Sequence, residues 1–291
     1  MHSLAQFIMA GRLKAALVAF FGNLVPFISP AAVGLVTLRR GVTDAGLLAM
    51  WAILPLLLLV RMSDVNPMMV WASIASMVAV VAVVVAALVL KHMVSWPAAV
   101  LAAVGLSSVM ALLLESLVAT DLTAIRESVV AILQGMAKRQ GQSLSLAPEQ
   151  ILSSGALAWA AAFTAIGALL LARWWQALLY NPGGFRKEFH ALRLSPTVAF
   201  VLLGAIALSY VVVNNDLSWG NVLGLPLMLS GVALVHHMVA FAQLGGHWLV
   251  IFYTGLILLV GPLSLVLVAL GFLDSLLDFR GRLAKKGAGG Q

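Results

Sequence analysis

Long runs of apolar residues dominate the chain, and short polar segments separate them. An α-helix needs roughly 20 apolar residues to cross a bilayer, and six of the runs come close to that length or exceed it. They cover residues 42–60, 67–90, 97–118, 151–172, 196–213 and 222–243. The pattern predicts an all-α, polytopic transmembrane helical bundle that forms a single membrane domain over residues 1–291.

The two ends of the chain carry further apolar stretches that helix breakers interrupt. Residues 15–38 contain two glycines and two prolines, and residues 248–279 contain the pair Gly261-Pro262. Proline inside a helix removes a backbone hydrogen bond and clashes with the preceding turn. Each end is therefore either one kinked crossing or a pair of short helices.

The distribution of basic residues favours a pair of helices at each end. With two pairs, thirteen Lys and Arg residues lie on one side and only Arg61, Arg126, Lys138 and Arg139 on the other. With single crossings, seven lie on one side and ten on the other. Because cytoplasmic segments are rich in Lys and Arg, we expect about eight to ten membrane helices, some short or broken. Both termini should be cytoplasmic, in a bacterial inner membrane.

The composition agrees with a membrane protein and narrows the possible chemistry. Hydrophobic residues make up 63% of the chain and charged residues only 9%. The net charge of +7 does not require a nucleic-acid partner, because the basic bias of cytoplasmic segments accounts for it. The absence of cysteine excludes disulfides, thiolate metal sites and cysteine nucleophiles. Since no catalytic motif is recognisable either, we expect neither an enzyme nor a cofactor or metal site.

One polar segment is long enough to form a soluble element. Between residues 120 and 140, apolar side chains recur at three- and four-residue spacing, which predicts an amphipathic helix on the external side. The residues of this apolar face are Leu122, Ile125, Val129, Leu133 and Met136. One interpretation is an interfacial helix that lies on the membrane surface or over the bundle. The alternative is a lid over an external binding site.

The most basic segment is a loop at residues 173–196, expected in the cytoplasm. Its Asn181-Pro182-Gly183-Gly184 sequence fits a type II turn, and the four-residue spacing of Phe185 and Phe189 places both on one face of a short helix. The loop either anchors the protein at the lipid surface or docks a cytoplasmic protein. The docking candidates are Asn181, Pro182, Gly183, Gly184, Phe185, Arg186, Phe189, Arg193, Asp274, Asp278 and Arg280.

Two of these candidates are acids that precede a basic tail at residues 280–291, which is also expected in the cytoplasm. Asp274 and Asp278 lie one helical turn apart at the end of an apolar run. A buried, unpaired carboxylate would be costly in a membrane. We therefore predict that Asp274 or Asp278 is bonded to Arg186 or Arg193.

A few polar residues elsewhere are candidates for binding a ligand. Glu115 is an acid near the outer end of an apolar run and is either an interfacial partner for a cation or a ligand or proton site. His236 and His237 either form structural hydrogen bonds near the interface or act in proton transfer or haem ligation. Asn215 and Asp216 belong to an outer turn.

Two motifs in the chain carry a family resemblance. The loop YNPGGFRKEFHALRLSP and the ending LGFLDSLLDFRGR resemble the YybS-like family of uncharacterised bacterial integral membrane proteins. The early LVTLRRGVTDAGLL resembles substrate-binding S-components of energy-coupling-factor vitamin transporters. This resemblance implies an S-component-like core and a small-residue helix-packing face at Ala15 and Ala19 that docks a membrane subunit.

These features favour an integral membrane protein that binds or transports a small molecule. The alternative is a scaffold or assembly protein that docks a cytoplasmic partner through the basic loop and tail. The lipid bilayer is the partner common to both.

Overall fold

The computed structural model describes residues 1–62, 66–139, 152–212 and 217–288, and all the regular elements among them are helical. A short 3-10 helix at Gly22–Leu24 interrupts the first part. The α-helices are α1 (His2–Met9), α2 (Arg12–Phe21), α3 (Ile28–Arg40), α4 (Val42–Arg61), α5 (Pro67–Met93), α6 (Trp96–Leu117), α7 (Ala119–Arg139), α8 (Ser154–Tyr180), α9 (Gly184–Ala191), α10 (Pro196–Val212), α11 (Leu217–Phe241), α12 (His247–Leu258), α13 (Val260–Leu277) and α14 (Phe279–Ala288).

Six of the described helices are long and apolar enough to cross a membrane: α4, α5, α6, α8, α11 and α13. The pair α9 and α10, bent by 66°, adds a seventh candidate. The protein is a multi-pass membrane protein with an all-α bundle, as the apolar runs predicted. Within the described residues the candidates number six, or seven with the bent pair, and α12 is a shorter apolar helix besides.

Side-chain caps and prolines explain where the long helices begin. The side chains of Asn66, Ser95 and Ser153 accept hydrogen bonds from backbone N–H groups in the first turns of α5, α6 and α8. In α5 and α6 a proline occupies the first turn, where its missing N–H leaves no bond unmade. Each cap satisfies a donor that would otherwise be unpaired near the membrane surface.

The N-terminal broken segment is a hairpin of two short helices. At one end Arg40 donates a 2.8 Å hydrogen bond to the carbonyl of Met9, just before α2 begins. At the other end the Ser29 hydroxyl donates to the carbonyl of Ala19, 2.5 Å away. Helices α2 and α3 are therefore antiparallel, which confirms the predicted pair of short helices.

The tip of this hairpin lies in the middle of the bundle. Asn23 donates a 2.9 Å bond to the carbonyl of Ala52, halfway along α4. The ring of Phe27 occupies the space beside Gly167, halfway along α8, where a Cβ atom would lie only 2.8 Å from the ring. The chain thus enters and leaves this segment at the same end of the bundle.

The break at the tip keeps its backbone groups bonded. The Asn23 amide also donates to the carbonyls of Ala19 and Phe20, at 3.2 and 3.1 Å, which the end of α2 leaves without helical partners. Such satisfaction is required for non-helical backbone at membrane depth. Beyond the tip, α3 is buried from Ser29 to Leu38 and forms the centre of the bundle.

The predicted helix-packing residues Ala15 and Ala19 lie inside the chain. Both are buried, with 2% and 0% of their surface exposed. They pack α2 against its own neighbours, because α2 contacts α3 and α4. The expectation that these alanines dock another membrane subunit is wrong for this fold, since they present no free surface.

The C-terminal broken segment also divides into two helices, but at Leu259 and not at Gly261-Pro262. Leu259 has non-helical dihedrals, φ −123° and ψ 45°. Pro262 lies in the first turn of α13, where proline is compatible with a helix.

Most basic side chains whose contacts are described meet at one end of the bundle. The Arg39 guanidinium lies 3.8 Å from the Tyr180 ring centroid, which joins the ends of α3 and α8. Arg280 donates to the carbonyl of His190, which joins the start of α14 to α9. We call this the basic end, and we call the other end, where α7 packs against α5 and α6, the α7 end.

Candidate functional site

Helix α8 extends through Tyr180, so the basic loop, expected from residue 173, begins at Asn181 with the predicted type II turn. Gly183 has φ +83° and ψ −12°, and the Gly184 N–H donates to the Asn181 carbonyl at 3.0 Å. Gly184 opens α9, and a Cβ atom there would lie 2.3 Å from the Asn181 amide nitrogen. The two glycines therefore serve different purposes. Gly183 adopts the left-handed backbone conformation that the turn requires, and Gly184 leaves room for the Asn181 side chain.

The aromatic residues of α9 share one face, as predicted, but that face packs onto the bundle. The rings of Phe185 and Phe189 stack with centroids 5.8 Å apart, and Phe185 lies 6.2 Å from Trp96 of α6. Phe189 is buried. The exposed residues of the turn and of α9 include Asn181, Pro182, Gly183, Arg186 and Lys187, and Tyr180 before the turn is exposed too. A partner that docks here would meet polar and basic groups and the Tyr180 ring, but not the buried Phe189.

The helix is held against the bundle by Glu188. Its carboxylate bonds Arg173 through both oxygens, and Trp96 donates to it at 3.2 Å. Burial by itself would raise the pKa of Glu188, but the hydrogen bonds and charge of Arg173, together with Trp96, lower its pKa overall. Glu188 is therefore a structural anion that joins α6, α8 and α9.

A second ion pair confirms the predicted contact between loop and tail. Arg193 lies 2.9 Å from the carboxylate of Asp278. The same guanidinium donates to the carbonyls of Asp274 and Ser275, at 3.0 and 3.1 Å. These carbonyls lie in the last turn of α13, where cations interact favourably with the helix dipole.

Asp274 is completely buried beside Arg280, which was predicted only as a docking residue. The Asp274 Oδ2 atom lies 3.2 Å from Arg280 Nε, but the N–H does not point at it, so the attraction is ionic. The other oxygen accepts from the Phe279 N–H. Arg280 also donates to the His190 carbonyl at 2.6 Å. Neither Asp274 nor Arg280 is free for a partner, since both tie α13 and α14 to α9.

The histidines lie at this same end. His236 is hydrogen-bonded to the Tyr253 hydroxyl at 2.7 Å, as expected of a structural histidine. The ring of His190 lies 6.2 and 6.3 Å from those of His236 and His237. Burial and the surrounding positive charges lower the pKa of His190, in α9, to about 4. Within the described residues no three ligand side chains are arranged to hold a metal ion.

The α7 end contains a large apolar space between α4, α5, α6 and α7. We call it the α7 crevice; its volume is about 820 Å³, and α7 covers one side of it. Ile74, Met77, Met110 and Leu114 are among its apolar lining residues. Among the described residues of its lining, Arg61 of α4 and Asp121 of α7 are the two charged ones. The space can therefore hold a largely apolar molecule with one polar or charged group.

A partly buried ion pair fixes α7 over this crevice. Two guanidinium nitrogens of Arg126 bond the two carboxylate oxygens of Glu115, at 2.8 and 2.5 Å. The third nitrogen donates to the carbonyl of Leu152, before α8, at 3.0 Å. Glu115 therefore has the cationic partner that was one of its two predicted roles. We call this connection of α6, α7 and the start of α8 the Arg126 latch.

The chain matches no protein-family model, no curated protein and no solved structure.

The predicted ligand candidates are not gathered in one site, because Glu115 lies at the α7 end and the two histidines lie at the basic end. Asn215 and Asp216 fall outside the described residues. Sequence reasoning missed Arg126, although its position four residues after Leu122 on the apolar side of α7 was a signal.

Proposed function

We propose that the protein is a membrane-embedded binding or transport protein for a mainly apolar small molecule that carries a charged group. The observation that carries this proposal is the α7 crevice with its apolar walls and two charged lining residues. Its volume of about 820 Å³ falls within the ~300–1,000 Å³ that is usual for small-molecule sites.

The composition of the lining supports an amphipathic ligand. An apolar body would replace water on residues such as Met77 and Met110, whose flexible side chains adapt to irregular shapes. A charged group on the ligand would lie near Arg61 or Asp121, since neither side chain forms an ion pair with another described residue. An amphipathic molecule satisfies both requirements at once.

The amphipathic helix α7 acts as the lid in this proposal. Leu122 and Ile125 of α7 face the crevice, while Arg126 holds the helix to its neighbours. The basic end faces the cytoplasm in accord with the bias of basic residues, so the crevice opens toward the external side of a bacterial inner membrane. The resemblance to S-components leads to the same expectation of a binding protein.

A bulky substitution on the crevice face of α7 tests the proposal. The full-length Ala124→Trp variant introduces an indole at a lining position of the crevice. We expect the wild-type protein, purified in mild detergent, to retain a small molecule that mass spectrometry of an organic extract identifies. The variant should retain at least about tenfold less of it, because an occupied crevice excludes the ligand.

The matched control is Ala131→Trp, which places the same side chain at an exposed position of α7 that does not line the crevice. It should retain the molecule as wild type does. The proposal fails if nothing but bulk lipid and detergent is extracted from wild type and no compound of a metabolite library raises its thermal midpoint. Equal retention by the two variants would also contradict it.

A further inference from the structure

A second cavity lies at the basic end, between the N-terminal hairpin and α4. Its volume is about 260 Å³, and helices α2, α3 and α4 form its walls. The inner part is lined by apolar residues such as Ala16, Val36 and Leu48, and Trp51 lies at its deep end. Asp44 and Trp51 are seven residues apart on α4, so the cavity runs about 10 Å along that helix.

The mouth of this cavity is charged and has an excess of positive charge. Arg12 of α2 lies 2.8 Å from Asp44, and Arg40 of α3 lies 3.7 Å from the other oxygen of the same carboxylate. Two cations therefore share one anion. The Arg40 guanidinium is fixed further by its bond to the Met9 carbonyl, whereas the Arg12 side chain is 74% exposed. Arg12 thus has N–H groups available for another anion.

The cavity is also open sideways, toward the position of lipid. Leu13 is 75% exposed, and Leu47 and Trp51 are about half exposed, although all three line the cavity. In a membrane protein such side chains contact acyl chains. A molecule that fits has an anionic group at the membrane surface and an apolar chain that extends toward the bilayer centre.

We infer that this cavity is a binding site for an anionic phospholipid. The phosphate lies at Arg12 and Arg40, where Asp44 holds both guanidinium groups in place, and one acyl chain lies along Leu47 and Trp51. Arginine suits this task because its planar group donates several hydrogen bonds to phosphate. The site lies between the N-terminal hairpin and α4, and it is separate from the α7 crevice at the other end of the bundle.

Quenching of tryptophan fluorescence tests the site directly. The full-length protein in detergent micelles is titrated with phosphatidylglycerol whose acyl chains are brominated, and with brominated phosphatidylcholine. Saturable quenching should require about fivefold less phosphatidylglycerol than phosphatidylcholine, since each basic group near the membrane surface contributes roughly this factor. Trp51→Phe should lose the saturable component, which assigns it among the eight tryptophans of the chain.

The position of the headgroup is tested with two variants of equal charge. Arg12→Gln should lose the preference for phosphatidylglycerol, while Lys14→Gln should keep it, because Lys14 lies over the Phe7 ring and does not line the cavity. An equal loss in both variants means that surface charge alone attracts the lipid and overturns the proposal. Unchanged quenching in Trp51→Phe would also overturn the proposal, and so would displacement of the lipid by soluble glycerol phosphate.

Discussion

At the scale of single residues, two glycines determine how closely the C-terminal helices approach. A Cβ atom on Gly231 of α11 would lie 2.1 Å from the Leu267 carbonyl oxygen, and one on Gly271 of α13 would lie 2.0 Å from that of Leu227. The two backbones are therefore in direct contact. Because lipid provides little hydrophobic force between helices, such contact is a main source of their association.

We predict that Gly271→Ala destabilises the protein. The added methyl group meets backbone that cannot move aside cheaply, and overpacking of this kind costs about 1–3 kcal/mol. The thermal midpoint of the detergent-solubilised variant should fall accordingly. Gly204→Ala is the control, since nothing lies within 4 Å of a Cβ atom at that position of α10; alanine should leave stability equal or raise it there. Equal midpoints for Gly271→Ala and wild type would contradict this contact.

Residue spacing predicted some contacts and missed others for identifiable reasons. The pair Arg193 and Asp278 was predictable, because the cost of an unpaired acid in a membrane limits the possible partners. The shared face of Phe185 and Phe189 was predictable too, but helical spacing does not tell whether a face meets solvent or the bundle. The position of Arg126 on the apolar side of α7 indicated its burial, but its two acceptors, Glu115 and the Leu152 carbonyl, are on other segments that local spacing does not identify.

At the scale of elements, α7 differs from the helices around it. Its charged and polar outer side is exposed, and only a few residues such as Leu122 and Val129 are buried against the bundle. So small an apolar contact by itself holds a helix weakly, since exposed elements with few buried contacts open at low free energy. The Arg126 latch is therefore the main connection that keeps α7 over the crevice.

We predict that Glu115→Gln loosens α7 and leaves the bundle intact. The substitution removes a charge-assisted bond to Arg126, and because Glu115 is 35% exposed the loss is moderated by solvent. Hydrogen exchange measured by mass spectrometry should be roughly three- to tenfold faster in α7 and unchanged in α5 and α8. Glu127→Gln, at an exposed position of the same helix, should have no effect. Faster exchange throughout the bundle would show that the pair stabilises the whole fold instead.

The broken elements at the ends could be predicted from sequence only in outline. Glycine and proline correctly indicated that both ends are interrupted. The N-terminal tip is defined by Asn23, whose amide bonds carbonyls of both α2 and α4, and the C-terminal break occurs at Leu259. These positions depend on packing with other helices, which a uniformly apolar sequence does not encode in its periodicity.

At the scale of the whole molecule, the two ends of the bundle have different chemistry. The basic end is closed by ion pairs that connect α8, α9, α13 and α14, including Arg173 with Glu188 and Arg193 with Asp278. The α7 end holds the larger cavity under a single helix. A ligand that enters from the α7 end would have to displace only α7, whereas passage through the basic end would disrupt several ion pairs, among them the buried pair of Asp274 and Arg280.

This arrangement leads to a prediction about the orientation of the protein in its membrane. The chain contains no cysteine, so single cysteines report on one position each. Lys187→Cys, in the exposed part of α9, should react with a membrane-impermeant maleimide only after the cells are permeabilised. Glu127→Cys, on the exposed side of α7, should react without permeabilisation of the inner membrane, once the outer envelope is opened.

Both positions are exposed, so a difference in labelling reports the side of the membrane and not burial. The reverse pattern would place the basic end outside, contrary to the bias of basic residues, and labelling of both cysteines from one side would contradict the placement of α7 and α9 at opposite ends of the bundle.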